Sequence, residues 1–408
     1  MSAQKIGCIV VVDAECIPKG IITNSDIKNK IATGLFSIDS SVKEIMSYPV
    51  ITQSKNLTVL YAQLQIIKYK VGHLCITDDG TSNSKLIGIL TNHDVLASLG
   101  NNPTVILKEI IRAKRTREIR KIRSKANLLL KSYLEQNIPL SHISKIISEI
   151  NDSVTIRVIE LSLKKMDSPP PVKFSWLALG SQGRKEQLLY TDQDNALIFE
   201  DVEQEKYQET KEYFLKLAGH ITKSLHKIGY EYCPAEMMAS NPKWCLSLSE
   251  WKNQFNDWIM NVNENAILLS SIFFDFNAIY GDANMPKKLT KSIFEALNNK
   301  NLLFIFLAKE AIASPSPLGF FKQFLVENNG DHKDSFNIKR RALMPLINAA
   351  RLLILSRNIS EINNTAQRFE RLAEIEPQNK ELYQSCSYAF KALLKFKTKQ
   401  GILHNDSG

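Results

Sequence analysis

The chain has 408 residues, of which 44% are hydrophobic and 23% charged, a composition typical of a globular protein with two or three domains. No run approaches the roughly twenty apolar residues of a membrane-spanning helix, and the amino terminus lacks the form of a secretory signal. Six cysteines without a Cys-x-x-Cys pair indicate reduced thiols, so we expect a cytoplasmic protein without a membrane partner. The net charge of +10 favours anionic ligands.

An internal repeat occupies the amino-terminal hundred residues. Residues 6–13 align with 71–78, and residues 20–26 align with 88–94. Each copy reads as two strands and a turn, followed by Thr-x-x-Asp at the start of a helix, which is typical of a β-hairpin leading into a capped helix. The second copy has a leading segment, residues 42–69, that the first copy lacks, so we interpret the first unit as incomplete.

This pattern resembles tandem CBS domains, and we assign residues 1–102 to a CBS pair. The resemblance implies that the threonine and aspartate of each copy contact the phosphate and ribose of an adenine nucleotide; these residues are Thr23, Asp26, Thr91 and Asp94. The same four residues would cap helices in a CBS pair that binds no ligand, and that alternative stays open. The resemblance also implies a homodimer formed through this module.

A basic segment follows. Residues 108–125 carry nine lysine and arginine side chains against two glutamates, with isoleucines at helical spacing. The pattern predicts an amphipathic helix within a helical connector, residues 103–168. Basic helices can bind nucleic acid, but more often they are solvated or pair with a neighbouring domain, so we do not expect a nucleic-acid partner. Three prolines, Pro169, Pro170 and Pro171, form a stiff extended linker after the connector.

The window from residue 174 to 199 carries the clearest chemistry. An apolar run leads into Gly180 and Ser181; eleven residues after Ser181 come Asp192 and, one residue further on, Asp194, before a second apolar run. Residues i and i+2 of a strand share a face, so the two carboxylates should converge while Gln193 points away. Convergent carboxylates can hold Mg²⁺ or Mn²⁺ together with substrate phosphates. Asp-x-Asp alone also suits a turn, but Gly-Ser at this distance before it indicates nucleotidyl transfer.

The whole window resembles the nucleotidyltransferase-like proteins found downstream of CBS domain pairs. These are relatives of the amino-terminal domain of the PII-protein uridylyltransferases, within the polymerase-beta-like superfamily. The family wording is close to Gly-Ser-Glu-Gly-Arg-x-Glu-Gln followed by Thr-Asp-Gln-Asp-Asn-Ala, and Gln182 replaces its glutamate here. Further matches are Cys233-Pro234, Met238-Ala239-x-Asn241-Pro242-x-Trp244, Phe273-Phe274-Asp275, Pro317-Leu318-Gly319 and Thr365-x-x-Arg368.

The resemblance implies an α+β multidomain protein. After the CBS module, an α/β unit, it predicts a nucleotidyltransferase domain with a mixed sheet and helices, residues 169–254, and a carboxy-terminal helical bundle, residues 255–408. The predicted roles are metal binding by Asp192 and Asp194, and triphosphate binding by Gly180, Ser181, Arg184 and Lys185.

The superfamily normally uses a third carboxylate, as a metal ligand or as the base that takes the acceptor's proton. Glu236 is the best-placed candidate for this catalytic role. An exposed glutamate at the end of a strand would fit the same sequence, so both interpretations stay open. Asp201 reads as an ordinary loop residue.

The expected function is Mg²⁺-dependent transfer of a nucleoside monophosphate from a nucleoside triphosphate to an acceptor, for which a protein hydroxyl is one candidate. We expect a uridylyltransferase-like enzyme regulated by its CBS module. The alternative is a nucleotide-binding regulatory or scaffold protein whose transferase fold has lost turnover.

Overall fold

The computed structural model describes residues 1, 6–69, 71–92, 94–95, 103–189, 192–298, 301–313 and 336–404. The chain forms two compact units, Met1–Asn102 and Pro103–Gly408. Within these described ranges, no helix combines the length and the apolarity needed to cross a bilayer. The motif Pro317-Leu318-Gly319 lies outside the described residues.

The amino-terminal unit contains two small sheets. Strands β1 (Cys8–Val12) and β2 (Pro18–Thr23) pair antiparallel. In the second sheet, β3 (Thr52–Ser54) pairs parallel with β4 (His73–Thr77), and β4 pairs antiparallel with β5 (Leu86–Thr91). The helical segments are α1 (Asn24–Asp26), which continues as a π turn (Ile27–Ile31), α2 (Val42–Ile45) and α3 (Val59–Tyr69). The two hairpins, β1–β2 and β4–β5, confirm the predicted repeat.

Each hairpin ends in a capping box. The Thr23 backbone N–H donates to Asp26 Oδ2 over 2.9 Å, and the Asp26 N–H donates back to Thr23 Oγ1 over 3.3 Å. Thr91 and Asp94 repeat this exchange at 2.9 and 3.1 Å. Reciprocal bonds of this kind satisfy backbone N–H groups at a helix start, which explains the Thr-x-x-Asp spacing in both copies. A small apolar core lies between α3 and the second sheet.

The second unit is built on a four-stranded mixed sheet. Strands β6 (Phe174–Ala178) and β8 (Asn195–Phe199) are antiparallel neighbours at its centre. At the edges, β10 (Cys245–Ser247) pairs parallel with β8, and β11 (Asn277–Gly281) pairs antiparallel with β6. A separate parallel pair joins β7 (Asp192–Gln193) to β9 (Glu231–Tyr232).

Both central strands are buried along their whole length, because helices cover both faces of the sheet. Trp176 and Leu197 belong to one core, together with helices α4 (Pro103–Arg112), α5 (Thr116–Glu135), α6 (Leu140–Leu163) and α8 (Gln204–Ile228). Leu177 and Ile198 face the opposite core, as period-2 alternation requires. A continuous apolar strand is the expected sequence for a sheet with two covered faces.

The opposite core is formed largely by the carboxy-terminal helices. They are α9 (Leu248–Met260), α10 (Glu264–Phe273), α11 (Asn284–Leu297), α12 (Asn301–Ala313), α13 (Met344–Ser356), α14 (Thr365–Ile375) and α15 (Lys380–His404). A π turn, Lys339–Leu343, precedes α13, and 3₁₀ turns, Pro242–Trp244 and Pro377–Asn379, precede β10 and α15. The predicted fold class, α+β with a helical carboxy-terminal part, is confirmed.

Residues 103–168, predicted as a helical connector, also contribute to the core of the second unit. Ile119 of α5 and Ile143 of α6 are fully buried in the same core as Trp176 of the sheet. The three helices are therefore a structural layer of the second unit, because the sheet face would otherwise expose its apolar side chains.

Candidate functional site

The Gly-Ser turn directly follows β6. Leu179 precedes a single helical turn, α7 (Gly180–Gly183), in which Gly180 has a φ of +54°. A Cβ on Gly180 would lie 2.9 Å from Asp194 Oδ2. Glycine is therefore required for two reasons: the left-handed backbone and the close approach of a carboxylate.

The two aspartates lie next to this turn. Asp192 is in β7, and Asp194 separates β7 from β8. Between them Gln193 is buried and donates to the backbone carbonyls of Thr222 and Tyr230, so it points away from the site as expected. One oxygen from each aspartate and the Cys233 sulfur all lie within 4.8 Å of one another. The predicted convergence of the carboxylates is present.

The electrostatics of this cluster follow from burial and like charge. Burial, followed by the negative charge of Asp192, raises the pKa of Asp194; a hydrogen bond with the Cys233 thiol and the charge of Lys339 act in the opposite direction. Burial and the charge of Asp194 raise the pKa of the Cys233 thiol to about 11. A bound cation would relieve this repulsion, which is the usual physical reason for pairing carboxylates at such a site.

A cavity of about 240 Å³ opens in front of the aspartates. Its floor is the α7 turn, and its opposite wall comes from the π turn, α13 and α15. That wall contributes Lys339, Arg351 and Lys397, together with apolar side chains such as Phe390. The cavity thus combines acidic, cationic and apolar surfaces, as a site for a nucleotide and a metal requires.

Arg184 lines this cavity, but it is not a free cation. Its guanidinium is buried, and it donates to Glu186 Oε2 over 2.8 Å and to Asp275 Oδ2 over 2.9 Å. Its predicted role in neutralising a triphosphate stays a prediction, because Arg184 lines the cavity but shares Asp275 with Arg351 and Arg368.

Lys185 lies elsewhere. It is exposed, has a φ of +58°, and borders a different groove, together with Ser141 and Asn364. It is not among the residues that line the cavity in front of the aspartates. The prediction that Lys185 neutralises the triphosphate is therefore not supported by the geometry.

Glu236 is likewise not part of the cluster. It is exposed, has a φ of +53°, and lies in the turn that follows Cys233. Within the described residues, the third group beside the two aspartates is the thiol of Cys233. Asp201 has a structural role, since it accepts hydrogen bonds from the backbone N–H and the hydroxyl of Ser249.

The lysines on the opposite wall were not predicted. Lys339 and Lys397 are more than 140 residues from Asp192 in the sequence, and neither lies in a motif of the central window. No local spacing could have identified them, because their position depends on how the carboxy-terminal helices fold back over the sheet.

A buried ionic network ties those helices to the α7 turn. The carboxylate of Asp275 is fully buried and pairs with Arg184, Arg351 and Arg368, with Arg368 Nη2 at 2.8 Å from Oδ1. The Thr365 backbone N–H donates to Glu186 Oε1 over 2.6 Å. The motifs Phe273-Phe274-Asp275 and Thr365-x-x-Arg368 therefore hold the wall of the cavity in place.

Asp192 and Asp194 provide donor atoms that suit a divalent metal ion. The two carboxylates provide the hard oxygen ligands that Mg²⁺ prefers, and the adjoining cavity leaves space for substrate phosphates. The thiol of Cys233 is a soft ligand that does not suit Mg²⁺. Asp192 and Asp194 therefore fit the metal that the family resemblance implies, without a third oxygen ligand from this cluster.

The amino-terminal unit has a cavity of its own, of about 530 Å³. Thr23 and Asp26 line it, together with Ser47 and His73, whereas Thr91 and Asp94 are not among its lining residues. Burial would raise the pKa of Asp26, but hydrogen bonds from Ser47 and Thr23 outweigh it and lower that pKa. Residues of both copies thus line this cavity, but of the four predicted ligand residues only Thr23 and Asp26 do so.

Three family models match the chain. The CBS domain matches residues 42–101, "Putative nucleotidyltransferase DUF294" matches residues 124–265, and "Putative nucleotidyltransferase substrate binding domain" matches residues 301–408. The aspartates and the α7 turn lie inside the second match, and Lys339 and Lys397 lie inside the third.

Two curated proteins resemble parts of the chain. An uncharacterised protein of Methanopyrus kandleri is 36% identical over 97 residues, which is 24% of this chain and 48% of that protein. The L-aspartate semialdehyde sulfurtransferase of Methanocaldococcus jannaschii is 37% identical over 65 residues, 16% of this chain and 12% of that protein. The chain thus spans half or less of these relatives.

Solved structures resemble about a quarter of the chain. A CBS-domain protein of Agrobacterium tumefaciens is 28% identical, with a TM-score of 0.21, over 24% of this chain and 75% of that one. A CBS signal-transduction protein of Burkholderia ambifaria is 27% identical, with a TM-score of 0.22, over 24% of this chain and 70% of that one.

Proposed function

We propose that this chain, which belongs to the DUF294 family of nucleotidyltransferases and carries a CBS module, transfers a nucleoside monophosphate from a nucleoside triphosphate to an acceptor hydroxyl. The observation that carries the proposal is the position of Asp192 and Asp194, which converge beside the Gly180–Ser181 turn at the floor of a cavity with two lysines on its far wall.

Asp192 and Asp194 would hold Mg²⁺ or Mn²⁺. When bound, such an ion supplies charge stabilisation to the phosphoryl oxygens. In the transfer, the acceptor oxygen forms a bond to the α-phosphorus, the bond between that phosphorus and the bridging oxygen breaks, and pyrophosphate leaves with the electron pair. The acceptor's proton passes to solvent, since Glu236 is not at the site.

Ser181 and the open backbone at Gly180 are positioned to donate to a phosphate at the floor of the cavity. We assign the neutralising role to Lys339 and Lys397 in place of Lys185, because both lysines line the same cavity as the aspartates and Lys185 does not; Arg184 lines that cavity as well. Lys339 already interacts favourably with the charge of Asp194. Catalysis would then consist mainly of positioning and electrostatic stabilisation.

The test uses Asp192→Asn and Asp194→Asn in the full chain. Loss of one metal ligand removes charge stabilisation of several kcal/mol, so transfer and Mg²⁺-dependent triphosphate binding should fall about 100-fold or more. Calorimetry with each non-hydrolysable triphosphate measures binding, and labelled triphosphates with host lysate measure transfer. Lys339→Met should weaken binding as well.

Asp167→Asn is the matched control, because this exposed carboxylate pairs only with Lys216 at the surface. It should bind and transfer like the parent. If both site variants also behave like the parent, the assignment is wrong.

A scaffold without turnover is the second candidate, and one observation favours it. Where the superfamily places a third carboxylate, the cluster here has the Cys233 thiol. A protein that binds triphosphate with Mg²⁺, but transfers no nucleotide to any component of the lysate, would support this alternative.

We also propose that the amino-terminal cavity binds an adenine nucleotide. Thr23 and Asp26 line a cavity of sufficient volume and correspond to residues that contact such ligands in the CBS family. The proposal places the ligand beside Thr23 and Asp26, in a cavity that residues of both copies line. A homodimer formed through this module stays a prediction.

A further inference from the structure

The position of Cys233 has a consequence that goes beyond the proposed transfer. Its sulfur lies within 4.8 Å of one oxygen from each of Asp192 and Asp194, and the thiol hydrogen-bonds with Asp194. Cys233 is 7% exposed, so its sulfur faces the carboxylates from a side that is largely shielded from solvent. Three side chains with metal-ligand atoms are thus brought together by two separate parts of the chain.

The turn that holds the thiol is fixed to the sheet. The Asn195 backbone N–H donates to the Met237 carbonyl, and the Ala239 N–H donates to Asn195 Oδ1, each over 2.9 Å. Within the turn, the Glu236 N–H donates to the Cys233 carbonyl over 2.9 Å. Because Asn195 directly follows Asp194, these bonds set the distance between the sulfur and that carboxylate. The geometry is therefore built into the backbone.

Two oxygen donors and one sulfur donor do not select the same ions as three oxygens. Mg²⁺ takes oxygen ligands almost exclusively, whereas thiolate ligands favour softer ions such as Zn²⁺, Co²⁺ and Cd²⁺. A site of this composition can hold Mg²⁺ through the aspartates alone, and a softer ion through all three residues.

We propose that Cys233 is a direct ligand for a thiophilic divalent cation of the zinc class, completing a mixed oxygen–sulfur site with Asp192 and Asp194. This inference rests on the proposed function in one respect, because both use Asp192 and Asp194 as metal ligands. When such an ion binds, the sulfur–metal bond forms and the thiol proton is released to solvent, so charge and atoms balance without an oxidant. The ion competes with Mg²⁺ for the same carboxylates.

The full chain is titrated with Co²⁺ and Cd²⁺, and the charge-transfer absorption between thiolate and metal is followed in the near ultraviolet. We expect a saturable band in the parent and its loss in Cys233→Ser. Removing a group that merely supports a ligand costs about 10- to 100-fold in metal affinity, so losing the ligand itself should weaken Cd²⁺ binding at least that much. Cys16→Ser, which removes an exposed thiol, should keep the band.

A band of the same size in Cys233→Ser, or none in the parent, would overturn the proposal. If Cys233→Ser does not fold, the parent protein provides a second test. Bound Zn²⁺ should slow alkylation of the Cys233 thiol, which peptide mass spectrometry measures. An alkylation rate that Zn²⁺ leaves unchanged would contradict the proposal. Cys233→Asp should lose the band while retaining Mn²⁺ binding.

Binding of triphosphate with Mg²⁺ separates the two proposals. A parent that shows the band but binds no triphosphate keeps the mixed site and loses the proposed transfer. A parent that binds triphosphate with Mg²⁺ but shows no band keeps the transfer and loses the thiol ligand.

Discussion

Gln182 connects the α7 turn to a buried carboxylate on a different helix. Its amide nitrogen donates to Asp152 Oδ1 of α6 over 3.2 Å, and lies 3.4 Å from Thr155 Oγ1. The glutamate that the family usually has at this position would place a second carboxylate beside Asp152. The amide removes that repulsion, so the substitution affects the support of the turn and not the metal ligands.

Asp152→Asn should stabilise the protein near neutral pH. Burial raises the pKa of Asp152 above its unfolded value, so the ionised form is penalised in the folded state. The gain should be on the order of 1 kcal/mol, or about 2 °C in Tm. This gain in stability should be largest above the raised pKa of Asp152. It should shrink as the pH falls toward about 4, the ordinary pKa of an aspartate, where the parent's carboxyl is protonated in the folded state. Thermal unfolding from pH 4 to 8 measures it; a pH-independent difference would contradict the interpretation.

Asp275→Asn should instead destabilise the protein. Burial alone would raise the pKa of Asp275, but Arg351, Arg368 and Arg184 hold it far below its ordinary value. Removing one partner from a buried ionic network costs about 3–5 kcal/mol. Since the folded pKa is depressed, this stabilisation is present above about pH 4 and is lost as the pH falls further. Denaturant unfolding at pH 7 should show the loss, whereas the surface variant Asp167→Asn should change stability by less than about 1 kcal/mol.

At the scale of elements, the single-turn helix α7 is determined by close packing as much as by its glycine backbone. A Cβ on Gly183 would lie 2.1 Å from the Asp275 carbonyl oxygen and 2.8 Å from that of Ala178. Both are backbone atoms, which cannot rotate away. The turn therefore packs against the end of β6 and against the backbone at Asp275.

Gly183→Ala should destabilise the protein by about 1–3 kcal/mol, the usual cost of overpacking, because the backbone must shift. The displaced turn should also weaken triphosphate binding at Gly180 and Ser181. Gly219→Ala is the control: it lies in α8 with no atom within 4 Å of its added Cβ, and should stabilise the helix by roughly 0.5–1 kcal/mol. Equal melting temperatures for the two variants would contradict the packing argument.

At the scale of the whole molecule, the chain consists of two units that meet in sequence at residues 102 and 103. Pro103 begins α4, which packs in one core with α5, α6 and the central sheet. Helix α6 in turn holds Gln182 of the α7 turn through Asp152. A continuous series of packed elements thus leads from Pro103 to the proposed triphosphate site.

Deletion of residues 1–102 should therefore change triphosphate affinity or transfer rate, and should not be neutral. Coupling between sites is typically about 1–3 kcal/mol, or roughly 5- to 150-fold in affinity. The measurement compares the full chain with residues 103–408, each with and without adenine nucleotides. Asp26→Ala in the full chain should abolish any nucleotide effect, and Asp94→Ala should reduce it less. Identical behaviour of both chains in every condition would mean that the module does not regulate the enzyme.

Features that depend on short-range backbone geometry could be predicted from the sequence. The repeated hairpins with Thr-x-x-Asp, the Gly-Ser turn after β6 and the convergence of Asp192 with Asp194 were all readable from spacing. Strand alternation and capping act over two to four residues, so a local pattern is sufficient to predict them.

The contacts of each charged side chain could not be predicted in this way, because they depend on residues far apart in the chain. Arg184 was predicted to face a triphosphate, and it lines the proposed cavity while also binding Asp275, which is 91 residues away. Cys233 lies beside the two aspartates, where Glu236 was expected, and Lys339 and Lys397 line the cavity that Lys185 was expected to line. These pairings depend on how helices close over a sheet, and a buried charge is satisfied by whichever partner that packing brings near. No spacing in the chain encodes this choice, because it follows from the free energy of the assembled core.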